Sequence, residues 1–336
     1  MRAGGHVVHK VEADARLPGW FLHHPVDAVF NIAEGLVGRH RESQVPALLE
    51  LLGIPFTGSG SLTLALALDK AKTKQVFLSE GIPTPAWQLF SSPDQPLAPP
   101  LTFPLIVKPN SEGSAKGILK ESVVRDEAQL REQIRRVCDQ YHQDVLVEEF
   151  IEGVELTVGV LGNDDAAVLP ILEIDFSGCE RSGEFFYSWR MKEYQGDASQ
   201  GLDPQFHCPA RLSPVITERI QRLVLRAHRA LGCRDVSRTD IRLRADGTPF
   251  VLEVNPLPGL DPRESNLPIM TKAAGIPYES VINRLVDMAL VRFRDDAAHT
   301  QELSPSLAVA GHRDAGPARG EPNRSLSGGL AGGRVG

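Results

Sequence analysis

Residues 237–255 constrain this chain more than any other stretch: Ser237-Arg238-Thr239-Asp240-Ile241-Arg242-Leu243, a turn at Asp246-Gly247, then Phe250-Val251-Leu252-Glu253-Val254-Asn255. Asp-Gly between two alternating apolar and polar runs signals an antiparallel hairpin. Strand side chains change face at every residue. Arg238, Asp240 and Arg242 are therefore expected on one face, with Ile241 and Leu243 on the other. The same period groups Val251, Glu253 and Asn255 against Phe250, Leu252 and Val254. Two carboxylates and an amide on one polar face make a set of hard oxygen ligands, suited to Mg2+ rather than zinc. A solvated sheet face, where charged strand residues usually go, is the simpler reading, and the hairpin alone leaves both open. Pro256-Leu257-Pro258-Gly259 follows and cannot continue the strand.

At 336 residues the chain is long enough for two or three domains. A net charge of −7 gives no support to a nucleic-acid partner. The four cysteines, Cys138, Cys179, Cys208 and Cys233, form no CxxC pair and read as reduced thiols of a cytosolic protein. No apolar run reaches the roughly 18 residues that a membrane span needs. The first residues lack the apolar core of a signal peptide.

Along the chain, residues 1–60 read as alternating strands and helices, with strands at 6–11 and 26–32 and a helix over 41–52 closed by Gly53. This is a parallel α/β pattern without a first strand running into a Gly-rich turn. Residues 61–81 read as one or two helices bearing Lys70, Lys72 and Lys74, whose simplest reading is a solvated face. Phe103 to Pro109 is a buried strand containing Lys108. The loop Asn110 to Gly117 follows, rich in Ser and Gly. Such a loop lets backbone N–H groups approach phosphate, although it lacks the GxxxxGK[ST] pattern and suits a plain hairpin equally. A helix is expected over 126–141, then strands at 145–151, 155–161 and 168–173. Glu148 and Glu155 flank the turn at Glu152-Gly153; taken singly, each reads as a surface carboxylate. Residues 183–200 form a long polar and aromatic loop, a length typical of functional lids. Helices follow at 213–231, 267–274 and 278–291, and the tail from Arg292 is expected to be disordered.

Five phrases taken together resemble the ATP-grasp superfamily and, within it, the D-alanine–D-alanine ligase family. They are GIPFTGSGSLTLALALDKAKTK, FPLIVKPNSEGSAKG, VLVEEFIEGVELTVGVLGN, SRTDIRLRADGTPFVLEVNPLPG and AAGIPYESVINRLV, in the family's order and spacing. The resemblance implies an α/β and α+β chain: a partial Rossmann-like domain over 1–69, a central subdomain over 70–155 and a larger subdomain over 156–291, with a tail over 292–336. It implies that ATP lies between the last two. Lys70, Lys108 and Lys192 match nucleotide-binding lysines, and Glu148, Phe150, Ile151 and Glu155 match the region that meets adenine and ribose. Asp240, Glu253 and Asn255 match the ligands of Mg2+, or Mn2+ in its place. Arg238 and the Gly259 N–H match the groups that face the reacting oxygen, and Ser114 a serine that orients the amine substrate. The activity implied is ligation of two D-alanines through an acylphosphate for peptidoglycan synthesis, in the cytoplasm, by a homodimer with amino acids as its small-molecule substrates.

The chain departs from the family pattern in three places. The Gly-Gly-x-Ser-x-Glu segment, whose glutamate holds the first ammonium, has no match, which implies either a late start site or a first substrate held otherwise. Glu34 stands where the family has a histidine and becomes a candidate ammonium partner. In Lys192-Glu193-Tyr194 the tyrosine is one residue late, and Tyr194 is expected to contact substrate, as is Ser265. Two alternatives follow: a ligase for other amino acids, and a truncated nucleotide-binding protein without turnover.

Overall fold

Two antiparallel sheets carry the fold, and the hairpin lies at one edge of the larger. The computed structural model describes residues 1–194 and 199–303. Residues 1–293 form one unit and residues 294–336 another.

The first sixty residues contain helices α1 (Leu17–His23) and α2 (Gln44–Leu52) but no sheet. The strands expected at 6–11 and 26–32 are replaced by one isolated parallel bridge, Val29 to Phe56. The Val29 N–H donates to the Pro55 carbonyl and the Thr57 N–H to the Val29 carbonyl, at 2.8 and 3.0 Å. A strand needs a continuous ladder, and Val26 to Ile32 finds a partner at one residue only.

Helices α3 (Ser61–Leu68) and α4 (Lys70–Ser79) are separated by Asp69, whose carboxylate accepts from the Lys72 N–H and caps α4. The small sheet runs in the order β1 (Trp87–Phe90), β4 (Val145–Glu149), β2 (Leu105–Pro109), β3 (Val123–Val124). Helix α5 (Glu127–Tyr141), capped by Asp126, covers it with Leu130, Ile134 and Val137 at helical spacing. The large sheet runs β10 (Pro249–Asn255), β9 (Val236–Leu243), β5 (Val154–Leu161), β7 (Leu172–Asp175), β8 (Gln205–His207), with β6 (Ala167–Val168) beside β5. The single strand expected at 168–173 is thus split into β6 and β7. Helix α7 (Pro214–Ala230) lays Ile220, Leu223, Val224 and Ala227 on this sheet, where each fully buried Leu or Ile contributes about 1.5–3 kcal/mol.

Two boundaries differ from those expected. Phe77 of α4 is buried in the core of the large sheet while Lys74 of the same helix pairs with Glu148 of the small one, so this helix contacts both lobes. The small sheet ends at Glu149 and the large one begins at Val154, which places Glu155 in the latter. Gly153 makes the turn between them at φ +146°, and a Cβ there would lie 2.1 Å from the Leu243 carbonyl oxygen. Within the long loop, α6 (Trp189–Glu193) forms a short helix. Helix α8 (Asn266–Ala273) follows the hairpin. Helix α9 (Tyr278–Leu303) continues twelve residues past its expected end at Val291, and no Gly or Pro interrupts 292–303. The remainder of the expected tail, 304–336, lies outside the described residues.

His228 of α7 is buried, with Nδ1 2.8 Å from the Ser237 hydroxyl. Burial lowers its pKa to about 4. The folded protein therefore keeps His228 neutral while the unfolded chain protonates below 6.5, so stability is full above that pH and is lost as pH falls toward 4. At pH 5 the loss from this residue is about 2 kcal/mol. Urea unfolding at pH 7.5 and pH 5 should show a smaller difference in His228→Gln than in the wild type; equal differences would reject the assignment.

Candidate active site

The two sheets face each other across a cavity of about 390 Å³. One end is apolar, lined by Ile106, Leu146, Phe150, Ile151, Phe186 and Leu252. The other is charged, and its chemistry begins with Glu148.

Glu148 of β4 is 1% exposed and pairs with two lysines, Lys108 of β2 and, at 2.7 Å, Lys74 of α4. Burial alone would raise the Glu148 carboxyl, but the two ammonium groups outweigh it and hold it below the ordinary value. Burial pulls the Lys74 ammonium down and Glu148 opposes that; with both lysines protonated the trio carries one net positive charge. Lys70 adds a second cation: its Nζ donates to the Glu112 carbonyl at 2.5 Å and lies 3.4 Å from Glu253. Lys70 and Lys74 lie on the buried face of α4 and Lys72 on its exposed face, so a solvated face holds only for Lys72. Lys192 of α6 lines the cavity from the lid side.

The loop over 110–117 is tied down at several points. Asn110 accepts from the Ala71 N–H and donates to Asp69, and Arg41 bonds the Ser111 carbonyl and the Glu112 carboxylate, each at 3.0 Å. Ser114 and Ala115 both adopt left-handed backbone, at φ +57° and +55°. Each such residue costs about 1–3 kcal/mol, a strain that clusters at functional sites. Gly113, Ser114 and Ala115 line the cavity.

On β9 and β10 the register differs from strict alternation. A bulge places Leu252 between the pairs Val251–Ile241 and Glu253–Asp240. Val251 therefore turns into the core, on the face opposite Glu253, and was wrongly grouped with it by the period of two. Beyond the bulge Asn255 pairs with Arg238, which gathers Arg238, Asp240, Glu253 and Asn255 at the cavity. Arg238 forks onto Asp240 at 3.0 and 2.8 Å, and the Asn255 amide donates to Asp240 at 3.1 Å. Against burial, which raises it, Lys70, Lys108 and Arg238 hold the Glu253 carboxyl down at about 2. These hard oxygens fit Mg2+. Among the described residues no three His, Cys, Asp or Glu side chains are grouped so that they alone could hold a metal ion. Two carboxylates and an amide are a short protein set that leaves places for phosphate oxygens and water, as Mg2+ requires.

The segment that carries α6 is anchored by buried Glu184, which accepts from Ser188 and, at 3.0 Å, from Arg190. Ser188 caps α6, and the Trp189 N–H donates to the Ile118 carbonyl at 2.9 Å. Lys192 thereby faces the cavity, whereas Tyr194 turns away: it is 43% exposed and packs edge-on against Trp189. Tyr194 is not among the residues that line the cavity, whereas Tyr187 is. Burial raises the Tyr187 phenol to about 12, so it stays protonated.

Glu34, Gly259 and Ser265 line the cavity. A Cβ on Gly259 would stand 2.7 Å from the Ser265 hydroxyl, so only glycine lets that hydroxyl approach. Glu155 pairs with Arg242 at 3.0 Å and accepts from the Tyr187 N–H at 3.2 Å; burial raises its carboxyl while Arg242 opposes the rise. Four lining or supporting residues have no site role in the sequence reading: Lys74, Tyr187, Arg242 and Glu42. The i, i+4 spacing of Lys70 and Lys74 is a signal for the first. Glu42 sits beside Glu34, and burial, reinforced by that neighbouring charge, raises its carboxyl to about 7.

The family model described as D-ala D-ala ligase C-terminus matches residues 76–287. A protein named D-alanine–D-alanine ligase from Cupriavidus pinatubonensis is 37% identical over 283 residues, 83% of this chain and 78% of its own length. One of the same name from Paracidovorax citrulli is 40% identical over 256 residues, covering 75% and 72%. An uncharacterised protein, y4sG of Sinorhizobium fredii, is 35% identical over 265 residues, covering 79% and 75%. Among solved structures, D-alanine–D-alanine ligase from Bacillus anthracis matches with TM-score 0.71 at 26% identity, over 88% of this chain and 90% of that one. The same enzyme complexed with ATP matches with TM-score 0.62 at 29% identity, over 78% and 79%.

Replacing Glu148 by Gln leaves Lys74 and Lys108 buried without a counter-charge and should cost about 3–5 kcal/mol in urea unfolding. Adding Lys74→Met should recover a large part of that loss. A Glu148→Gln cost below about 1 kcal/mol would contradict the pairing.

Proposed function

This chain belongs to the D-alanine–D-alanine ligase family of ATP-grasp enzymes, and we propose that it uses ATP to join two D-alanines through an acylphosphate, supplying peptidoglycan synthesis. The observation that carries the proposal is the meeting of Lys70, Lys108 and Lys192 with Asp240, Glu253 and Asn255 in one cavity with an apolar end.

The apolar end suits a nucleotide base, at Phe150 and Ile151, and Glu148 acts through the lysines it holds. Glu155 lies where the sugar would pass, and the three lysines face the triphosphate. Asp240, Glu253 and Asn255 would hold Mg2+, which offsets phosphate charge when bound. In the first step the carboxylate of one amino acid forms a bond to the γ-phosphorus, the bond to the bridging oxygen breaks, and ADP leaves. In the second, the amine of the other amino acid adds to the carbonyl of the acylphosphate, a tetrahedral oxyanion forms, and phosphate departs. Arg238 and the Gly259 N–H stabilise that oxyanion. Ser114 and Ser265 orient the second amino acid, and the lid carrying Lys192 excludes water from the acylphosphate.

A second reading, ligation of a different amino-acid pair, draws on Glu34 and Glu42, two neighbouring carboxylates on the cavity wall, and on the outward turn of Tyr194. Both readings keep the enzyme class.

Protein incubated with ATP, Mg2+ and a panel of single and paired D- and L-amino acids should release ADP with D-alanine and yield its dipeptide. Silence with D-alanine beside turnover of another pair selects the second reading. Glu253→Gln should lower turnover by about a hundredfold or more at saturating Mg2+ while keeping the melting profile. Near-normal turnover in that variant would remove Glu253 from the metal set.

A further inference from the structure

Arg242 has no part in the chemistry described above, yet it is 5% exposed and lines the cavity. Its side chain joins three segments. Nε donates to the Ile151 carbonyl at 2.9 Å, at the end of the small sheet. Nη1 donates to Glu155 Oε2 at 3.0 Å, on the neighbouring strand β5, and lies 3.4 Å from the Phe185 carbonyl at the root of the lid. The guanidinium also stands over the Phe150 ring, 5.3 Å from its centroid. With Phe150 and Phe186 it forms the partition between the main cavity and a second one of about 400 Å³.

The consequence falls on Glu155. Its Oε2 accepts from both Arg242 Nη1 and the Tyr187 N–H, while Oε1 takes no hydrogen bond from a described residue. Glu155 shares Arg242 with the Ile151 carbonyl of the apolar lining, and Lys108 of the charged lining is near enough to act on it electrostatically. A nucleotide whose base occupies the first and whose phosphates meet the second passes its sugar at that point. An ionised carboxylate with one free oxygen is an acceptor for sugar hydroxyls. Such an acceptor works only if it is held in place, because a loose carboxylate would turn away or shed its charge in a buried setting.

We infer that Arg242 is the positioning residue for nucleotide sugar recognition: by pinning Glu155 against the Ile151 carbonyl and the lid root, it makes the sugar hydroxyls count toward binding. A guanidinium suits this task because its planar fork reaches a carboxylate and a carbonyl together, which a lysine does not. The inference rests on the ATP-dependent reading above.

The test is calorimetric binding of ATP and of 2′,3′-dideoxy-ATP, each with Mg2+ and without amino acid. The wild type should bind ATP about tenfold or more tightly than the dideoxy analogue. Arg242→Met should weaken ATP until the two nucleotides bind within about twofold of each other, with little change for the analogue. Glu155→Gln should weaken ATP likewise, and the double variant should be no worse than either alone, since both remove one interaction. Arg242→Lys, which keeps the charge, should recover part of the preference. Should Arg242→Met fail to fold, the wild-type preference and the double variant, which buries no unpaired carboxylate, still decide. Equal wild-type binding of the two nucleotides, or an Arg242→Met protein that keeps the full preference, overturns the inference. A wild type that binds neither nucleotide overturns the ATP-dependent reading itself, and this inference with it.

Discussion

The pairing of Glu148 with Lys74 and Lys108 is the interaction on which the rest of the site depends. Two ammonium groups and a carboxylate are taken almost wholly out of water, and each would be costly there without the others. The pairing joins α4, β2 and β4, three elements far apart in sequence. It also reaches the large sheet: Lys74 donates to the Thr84 hydroxyl at 2.7 Å, and that hydroxyl donates to the Val251 carbonyl at 2.8 Å. A continuous polar chain thus runs from Lys108 on one sheet to β10 on the other. The surplus positive charge faces the cavity, where a polyanion can satisfy it. A buried trio with a net charge makes physical sense when a ligand completes it, and a triphosphate has the matching sign.

The bulge at Leu252 is the second constraint. Without it, Val251 and Glu253 would share a face, and either the core would lose Val251 or the cavity would lose Glu253. One extra residue shifts the register so that apolar and polar side chains each find their own side. Bulges of this kind beside catalytic groups re-aim single side chains at the expense of one unpaired backbone position.

What the sequence made legible follows from the range of the interactions. The hairpin was readable because its turn and its alternation are local, and α5 and α7 because their apolar spacing and capping residues are local. Asp240, Glu253 and Asn255 could be grouped on one face, while the place of Val251 could not, since a bulge leaves no mark in a period of two. The strands expected in the first sixty residues had the right composition and lacked partners, which propensity alone does not supply. Lys74 and Arg242 were missed for a related reason. Each resembles a surface cation until the carboxylate it pairs with, Glu148 or Glu155, is brought beside it by tertiary folding. Tyr194 was expected at the substrate by position within its phrase; the capping of α6 by Ser188 instead turns Lys192 toward the cavity and Tyr194 away from it.

The central claim is that the cavity between the two sheets is a Mg2+-nucleotide site organised around this buried trio. The most direct measurement is a crystal structure of the full chain grown with Mg2+ and the non-hydrolysable analogue AMP-PNP. The account predicts the base against Phe150 and Phe186, phosphate oxygens within hydrogen-bond reach of Lys70, Lys108 and Lys192, and metal density at Asp240, Glu253 and Asn255. Nucleotide bound elsewhere, or phosphates in the cavity with no metal at those three residues, would contradict it.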